Sequence, residues 1–425
     1  MFRYLYSLFL ILAVPLILLR LYLRGSQSPG YRRRIAERFG RLSPSANFDS
    51  NKMTLWIHAV SVGETVAAQP LVKQLKATYP EAQLLLTSMT PTGAERVESL
   101  FGDSVFHSYL PYDLPTAVNR FLNRVNPTLL IIMETELWPN LLYQCRKRDV
   151  KTLLANARLS EKSASGYSKF PGASRTMLQS LTAIAAQTEA DAKRLEALGA
   201  KGENIFITGS LKFNVEQDID KAVTDPFFES INKSGRTVVI IASTREGEEE
   251  KILGAVSETL NTNPEVLFLL VPRHPERFDE VATLLQGAGL SIQRRTQQQE
   301  IIPDVQVILG DSMGEMSAYY SVAAIAFVGG SLVDTGCQNV LEPAAHSLPV
   351  LVGPSQFNFA QICNQLEAAG GLKTVTNADK LAAELNELLN NDMRRQEMGR
   401  AARSVIDANQ QALPALMKVI KDLLS

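Results

Sequence analysis

The stretch Ser61-Val62-Gly63-Glu64 lies between an apolar strand-like run, MTLWIHAV, and a helix-like run, TVAAQPLVKQLKATYP. Two chemistries fit it. Ser61 and Glu64 have the spacing of a capping box, in which the serine accepts from the helix's free N–H groups and the glutamate reaches back. A carboxylate at the end of a strand is also where a general base would stand. A second pair, Glu134 and Glu136, follows the strongly apolar LIIM. Carboxylates at a buried strand end are costly unless paired or functional. Arg158 of NARLS and Lys212 of GSLKFN are the candidate partners, and a structural ion pair between strands is the plainer alternative.

The second half of the chain offers residues suited to an anion. Pro272, Arg273 and His274 follow the run EVLFLLV, and an arginine's planar fork can hold two phosphate oxygens at once. An ordinary surface ion pair is the competing use of that arginine. Met313, Gly314 and Glu315 form the next strand–helix junction. After AAIAFV comes GGSLVDTGCQNVLEPAAH, whose glycines allow close approach of backbone to a ligand and whose helix start favours an anion. It is neither a Walker A loop nor GxGxxG. Asn339 and Glu342 again have capping-box spacing; alternatively Glu342 accepts hydrogen bonds from ribose hydroxyls.

These residues need elements to carry them. MTLWIHAV, AQLLLTS, SVFHSYL, PTLLIIM, KTLLANA, LTAIAAQ and NIFITGS read as short buried strands separated by amphipathic helix patterns. The polar run KFNVEQDIDKAVTDPFFESINKSG interrupts the rhythm, which restarts with RTVVIIAS, EVLFLLVP, LSIQRR, VQVILG, AAIAFVGG and LPVLVG. Continuous apolar strands covered on both faces imply a mostly parallel sheet. Two successive doubly wound α/β domains are expected, facing a shared cleft, with ligands at the carboxyl ends of the strands. From Ala378 onward the pattern is helical, packing over the second domain or back onto the first.

Bulk properties narrow the classes. The 425 residues suffice for two or three domains, with 45% hydrophobic and 20% charged residues. With a net charge of −1 the whole chain does not advertise nucleic-acid binding, and any basic function must be local. Cys145, Cys337 and Cys363 are scattered and the four histidines show no ligand spacing, so neither a disulfide framework nor a metal is called for. The N-terminus stands apart. Tyr4 to Leu19 carries no charge, the apolar run resumes past Arg20, and Arg24, Arg32, Arg33, Arg34, Arg38 and Arg41 follow, opposed only by Glu37. That is an anchor with positive-inside flanks, single-pass or monotopic, which keeps the bulk of the chain in the cytoplasm. The arginines fit anionic headgroups or an anionic lipid substrate, or else a solvated linker. The expected layout is an anchor over 1–24, a basic juxtamembrane linker over 25–50, and α/β domains over 51–215 and 216–425.

HAVSVGE, SMTPTGAERV, YLPYDLPTAVNRFL, METELWPNL, NARLS, TGSLKFN, EGEE, VPRHPERF and FVGGSL…NVLEPAAH…PVLVGP…FNF occur in this order along the chain. The chain thereby resembles the 3-deoxy-D-manno-octulosonic acid (Kdo) transferases over almost its whole length. The resemblance implies an inverting, metal-independent glycosyltransferase of the GT-B fold at the cytoplasmic face of the inner membrane. Its donor would be CMP-Kdo and its acceptor the lipid A precursor. Residues 51–215 would bind the acceptor and 216–425 the nucleotide sugar, with no cofactor and no nucleic-acid partner. Glu64 would be the general base, with Glu134 and Lys212 stabilising the transition state. The nucleotide would lie against Pro272, Arg273, Met313, Gly314, Glu315, Asn339, Val340, Leu341 and Glu342. Two positions depart from the family pattern: GCQN stands where Gly-Gly-His-Asn is usual, and Arg245 where a histidine is usual. A UDP-sugar 2-epimerase-like enzyme would share the fold but not the basic anchor. A binding protein that has lost catalysis would not be expected to keep Glu64, Glu134 and Lys212.

Overall fold

A computed structural model describes residues 2–42, 48–214, 225–297 and 300–425. The chain divides into two compact units, Met1–Asn214 with Gln411–Ser425, and Val215–Gln410. The expected boundary between 215 and 216 and residues 43–47 of the expected linker lie outside the described residues.

The first unit holds a seven-stranded sheet in the order β3-β2-β1-β4-β5-β6-β7. Its strands are β1 Thr54–His58, β2 Gln83–Ser88, β3 Phe106–Tyr109, β4 Leu129–Met133, β5 Lys151–Ala157, β6 Ala183–Ala186 and β7 Ile205–Ile207. The second unit repeats the plan as β10-β11-β9-β8-β12-β13-β14. Here β8 is Val238–Thr244, β9 Leu267–Pro272, β10 Ile292–Arg294, β11 Val307–Leu309, β12 Ile325–Val328, β13 Val350–Val352 and β14 Leu372–Thr374. Every strand pair is parallel.

Alternation of side chains across each pleat explains the layers. In the first unit Leu55, Ile57, Leu129, Ile131 and Met133 enter one apolar cluster, while Trp56, Leu130 and Ile132 enter the cluster on the opposite face. In the second, Val239 and Ile241 point one way and Val238, Ile240 and Ala242 the other. Each fully buried leucine or isoleucine contributes about 2 kcal/mol. Both sheets are therefore sandwiched between helices, and the strand order reverses at β1/β4 and at β8/β12. Ligands of such sheets collect at the carboxyl ends of the strands flanking that reversal.

Two expected assignments change. The last helix, Ala412–Leu424, belongs to the first unit and not to a domain running to 425. Its apolar positions, spaced three and four apart, place Leu416, Val419 and Ile420 in the cluster that holds Leu55 and Leu71. The basic segment is also more than a linker. Glu37 and Arg38 are buried. The Glu37 carboxylate accepts from Arg34 Nε at 2.7 Å and Tyr109 N at 3.0 Å. Arg38 lies over the Tyr109 ring at 4.0 Å and donates to the Met89 carbonyl at 3.1 Å. Arginine forks that would otherwise be solvated thus staple the neck to β2 and β3.

The N-terminal helix is continuous from Phe2 to Gln27 through Pro15, and its Phe2–Ser26 portion, with a mean hydropathy of 2.1, is long and apolar enough to cross a membrane. The helix after β1 likewise runs unbroken from Val62 to Thr78 with Pro70 inside it.

Candidate active site

Glu64, Glu134 and Lys212 all come from the carboxyl-end loops of the first sheet. β1 and β4 are direct neighbours with His58 opposite Ile132, so the turns after them lie side by side at the strand-order reversal. The turn after β1 forms the capping box in full. Ser61 Oγ accepts from Glu64 N at 3.3 Å, and the half-buried Glu64 carboxylate returns to accept from Val60 N at 2.8 Å and Ser61 Oγ at 2.9 Å. Each carboxylate oxygen carries two lone pairs, so one bond apiece leaves acceptor capacity for a substrate hydroxyl. Burial raises the Glu64 pKa, its hydrogen bonds to Val60 and Ser61 oppose the rise, and the charge of Glu134 adds to it.

Glu134 departs from the strand in a left-handed conformation, φ 57°, with its N–H bonded to the Ala155 carbonyl at 3.0 Å. For a glutamate that backbone costs on the order of 1 kcal/mol, a strain typical of functional positions. Its partner is Lys212, whose Nζ is 3.4 Å from Glu134 Oε1, with both side chains about a third exposed. Arg158, the other candidate partner, instead meets Thr135 through its backbone carbonyl.

Sequence reasoning passed over one member of this group. Asn156, also left-handed at φ 53°, accepts from Leu211 N at 3.0 Å and so fixes the turn that carries Lys212. Its signal was an asparagine inside a β-rich run, the residue that tolerates such a backbone best. Glu136, which the sequence singles out together with Glu134, has its pKa pushed up to about 7, by burial first and then by the charges of Glu64 and Glu134. Glu134, the partner of Lys212, thus also bears electrostatically on both Glu64 and Glu136.

The nucleotide candidates sit at the carboxyl ends of the second sheet. Pro272 closes β9 and is buried, while Arg273 is exposed and its N–H is bonded to the Thr244 carbonyl at 3.0 Å. Met313 is 59% exposed, beside Gly314 at φ 78°, where a side chain would be strained. Glu315 is held by Ser312 Oγ at 2.5 Å and Arg295 Nε at 3.2 Å. Asn339 donates to Glu342 Oε1 at 2.8 Å and accepts from Leu341 N at 3.1 Å. Burial lifts the Glu342 pKa, against the pull of Asn339 and Arg273.

Val340 and Leu341 are buried core side chains and offer a ligand only backbone. The helix that follows, Leu341–Ala345, has five residues, so its dipole adds less to anion binding than the sequence pattern suggested. At the two departures from the family pattern, Cys337 is fully buried with Sγ 3.8 Å from Cys363 Sγ, and the Arg245 guanidinium meets the His274 ring.

Glu248, within EGEE, is the unforeseen organiser of this end. It is fully buried and accepts from Gly330 N at 2.5 Å, Ser331 N at 2.9 Å and Leu332 N at 2.9 Å. It thus ties the loop after β8 to the glycine-rich loop after β12, across the second strand-order reversal. Among the described residues no group of three or more His, Cys, Asp or Glu is arranged to hold a metal ion.

Residues 33–215 match the family described as "3-Deoxy-D-manno-octulosonic-acid transferase (kdotransferase)", and residues 239–405 match "Glycosyl transferases group 1". The chain is 43% identical to a 3-deoxy-D-manno-octulosonic acid transferase of Haemophilus influenzae, covering 100% of this chain and 99% of that protein. It is 39% identical to the Bordetella pertussis transferase of the same name, covering 99% of each. In architecture it resembles the UDP-GlcNAc 2-epimerase of Neisseria meningitidis, with a TM-score of 0.58 and 15% identity over 87% of this chain and 100% of that one. At that identity the likeness is one of fold, a GT-B-like pair of parallel-sheet units.

Proposed function

The chain belongs to the Kdo transferase family and is a glycosyltransferase; from that membership we propose that it moves Kdo from CMP-Kdo to the lipid A precursor in lipopolysaccharide synthesis, with Glu64 as general base. The observation that carries the residue assignment is the placement of Glu64 beside the Glu134–Lys212 pair on adjacent strand ends. A partly desolvated carboxylate with a raised pKa is a stronger base than one in water.

The reaction is a single displacement. The acceptor's hydroxyl oxygen attacks the anomeric carbon of Kdo, and its proton passes to Glu64. The bond from that carbon to the phosphate oxygen breaks with its electron pair, releasing CMP and inverting the centre. The leaving group departs as a dianion. Arg273 supplies positive charge for the donor's phosphate, the role a metal plays in other phosphate departures, and Lys212 is the cation beside the proposed base. Glu134 holds Lys212 in place through its ion pair. Pro272, Gly314 and the 339–342 segment shape the nucleotide site, with Glu342 accepting from ribose hydroxyls.

The N-terminal helix and its arginines support attachment to the inner membrane, with both α/β units on the cytoplasmic side, within reach of a soluble nucleotide sugar and a lipid-embedded acceptor. Incubation with CMP-Kdo and the lipid A precursor, read by product mass, tests the reaction. One or more added Kdo residues are expected with the wild type and none with Glu64→Ala. Absence of Kdo addition by the wild type, or unchanged turnover in the variant, overturns the reaction or the base assignment respectively.

A further inference from the structure

The N-terminal helix is apolar nearly all round, and the structure separates its two faces. Arg3, Tyr6, Ser7, Leu10, Ala13, Val14, Ile17, Leu21 and Gly25 recur at three- and four-residue spacing and are buried or half-buried against the first unit. Leu5, Leu8, Leu12, Leu16, Leu19 and Leu23 recur at the same spacing and are exposed, Leu12 and Leu16 each at 69%. A helix with an apolar inner face for protein and an apolar outer face for lipid has the hydropathy of a membrane span without having to be one.

Both ends of this helix are tied to the same unit. At its start, Arg3 donates to Asn140 Oδ1 at 3.3 Å and its guanidinium lies 3.6 Å from the Tyr143 ring centre. Asn140, fully buried, donates to Ser7 Oγ at 3.0 Å, and Tyr6 hydrogen-bonds the buried Asp113 carboxyl. At its end, Arg32 of the neck donates to the Tyr22 carbonyl at 3.1 and 2.9 Å, and the neck itself is stapled through Arg38 to Met89. A crossing would carry one end away from the unit by a hydrocarbon core of about 30 Å. It would break the contacts of Arg3, Tyr6 and Ser7 and leave the buried amide of Asn140 short of a partner.

We propose that this helix does not cross the bilayer but lies along the first unit, its leucine face sunk into one leaflet. The occupant is the lipid itself. The outer row is apolar, and exposed Arg20, Arg24, Arg33 and Arg41 flank it where anionic headgroups would lie. This rests on the membrane attachment proposed above and not on the reaction.

The test uses the full chain carrying an epitope ahead of Met1, expressed in a Gram-negative host. In-plane seating keeps the epitope cytoplasmic, so protease removes it from inverted vesicles and not from intact spheroplasts; removal from spheroplasts overturns the proposal. A Ser7→Cys/Asn140→Cys pair is expected to form a disulfide in membranes under mild oxidation, and its absence in membrane-bound, folded protein counts against the geometry. The exposed-face variant Leu8→Glu/Leu12→Glu/Leu16→Glu should lower the membrane-bound fraction at least tenfold with an unchanged melting temperature. Retention on the membrane, or disulfide-linked dimers from Leu12→Cys showing that a second copy covers this face, overturns it. Wild-type protein found wholly soluble would end the attachment reading as well, while leaving the mass assay for Kdo transfer untouched.

Discussion

Lys212 Nζ stands 3.4 Å from Glu134 Oε1, and Glu134 reaches it from a left-handed backbone at the end of β4. The pair links β4 to the turn after β7, two segments far apart in sequence. Because both side chains are part-exposed, the bond itself contributes about 1 kcal/mol at most to stability. Lys212→Met should therefore lower the melting temperature little while reducing kcat about 100-fold or more, as expected for a charge that acts on the transition state. Thermal denaturation alongside steady-state kinetics separates the two effects.

Glu64 combines a cap and a proposed base, and two substitutions divide them. Glu64→Gln keeps an oxygen to accept from Val60 N, so stability should stay near wild type while kcat falls at least about 100-fold. Glu64→Ala should lose both activity and about 1 kcal/mol of stability. Equal kcat in the wild type and the glutamine variant would remove Glu64 from the chemistry.

The acid limb of the pH–rate profile follows from the raised Glu64 pKa, caused by burial first and by Glu134 in addition. A base must be ionised to act, so log kcat/KM should rise with pH through a value above the ordinary glutamate range. Glu134→Gln removes a neighbouring negative charge and should move that limb to lower pH, whatever it does to the plateau. A limb that does not move would mean another group controls it.

Glu136 gives a stability prediction with the opposite sense from most carboxylates. Its folded pKa, about 7, exceeds the unfolded value near 4.5, so the native state binds more protons over that interval. Its contribution is fully present below the unfolded pKa and is lost as pH rises through 7. Glu136→Gln should gain about 1 kcal/mol on the wild type between pH 5 and pH 8, after allowing for partial solvent screening. Denaturant titrations at the two pH values measure this.

Glu248→Ala should destabilise the second unit by about 3 kcal/mol, because three loop N–H groups lose their acceptor in a buried site. It should also raise the KM for CMP-Kdo through the loosened glycine-rich loop. Glu248→Gln, which keeps one acceptor oxygen, should recover part of each.

The sheets were legible wherever strands are long and buried on both faces. TLWIH and LLIIM leave little alternative to central parallel strands. β14, Leu372–Thr374, escaped notice because it is three residues long and carries the exposed, ion-paired Lys373. The spacing of Ser61 and Glu64 disclosed the cap, and the carboxylate does turn back onto Val60 N and Ser61 Oγ, but the charge of Glu134 beside it becomes apparent only once β1 and β4 pair. Glu248 was unreadable for a related reason: its partners lie 82 to 84 positions away, in a loop that meets it only once β8 and β12 pair. The structural part of the neck was not legible, because Arg34 and Arg38 differ from the neighbouring arginines only once the fold sets Glu37 and Tyr109 against them.

The path of the chain between the units has a consequence for how the protein is made. The first sheet emerges from the ribosome early, yet the helix that covers part of it, Ala412–Leu424, is translated only after the whole second unit. At typical rates the intervening roughly 200 residues take about 10–40 s to synthesise. Throughout that time the surface around Leu55 and Leu71 lacks Leu416, Val419 and Ile420. The nascent first unit therefore waits, unsealed, until the second unit has been made and the helix Ala412–Leu424 follows it.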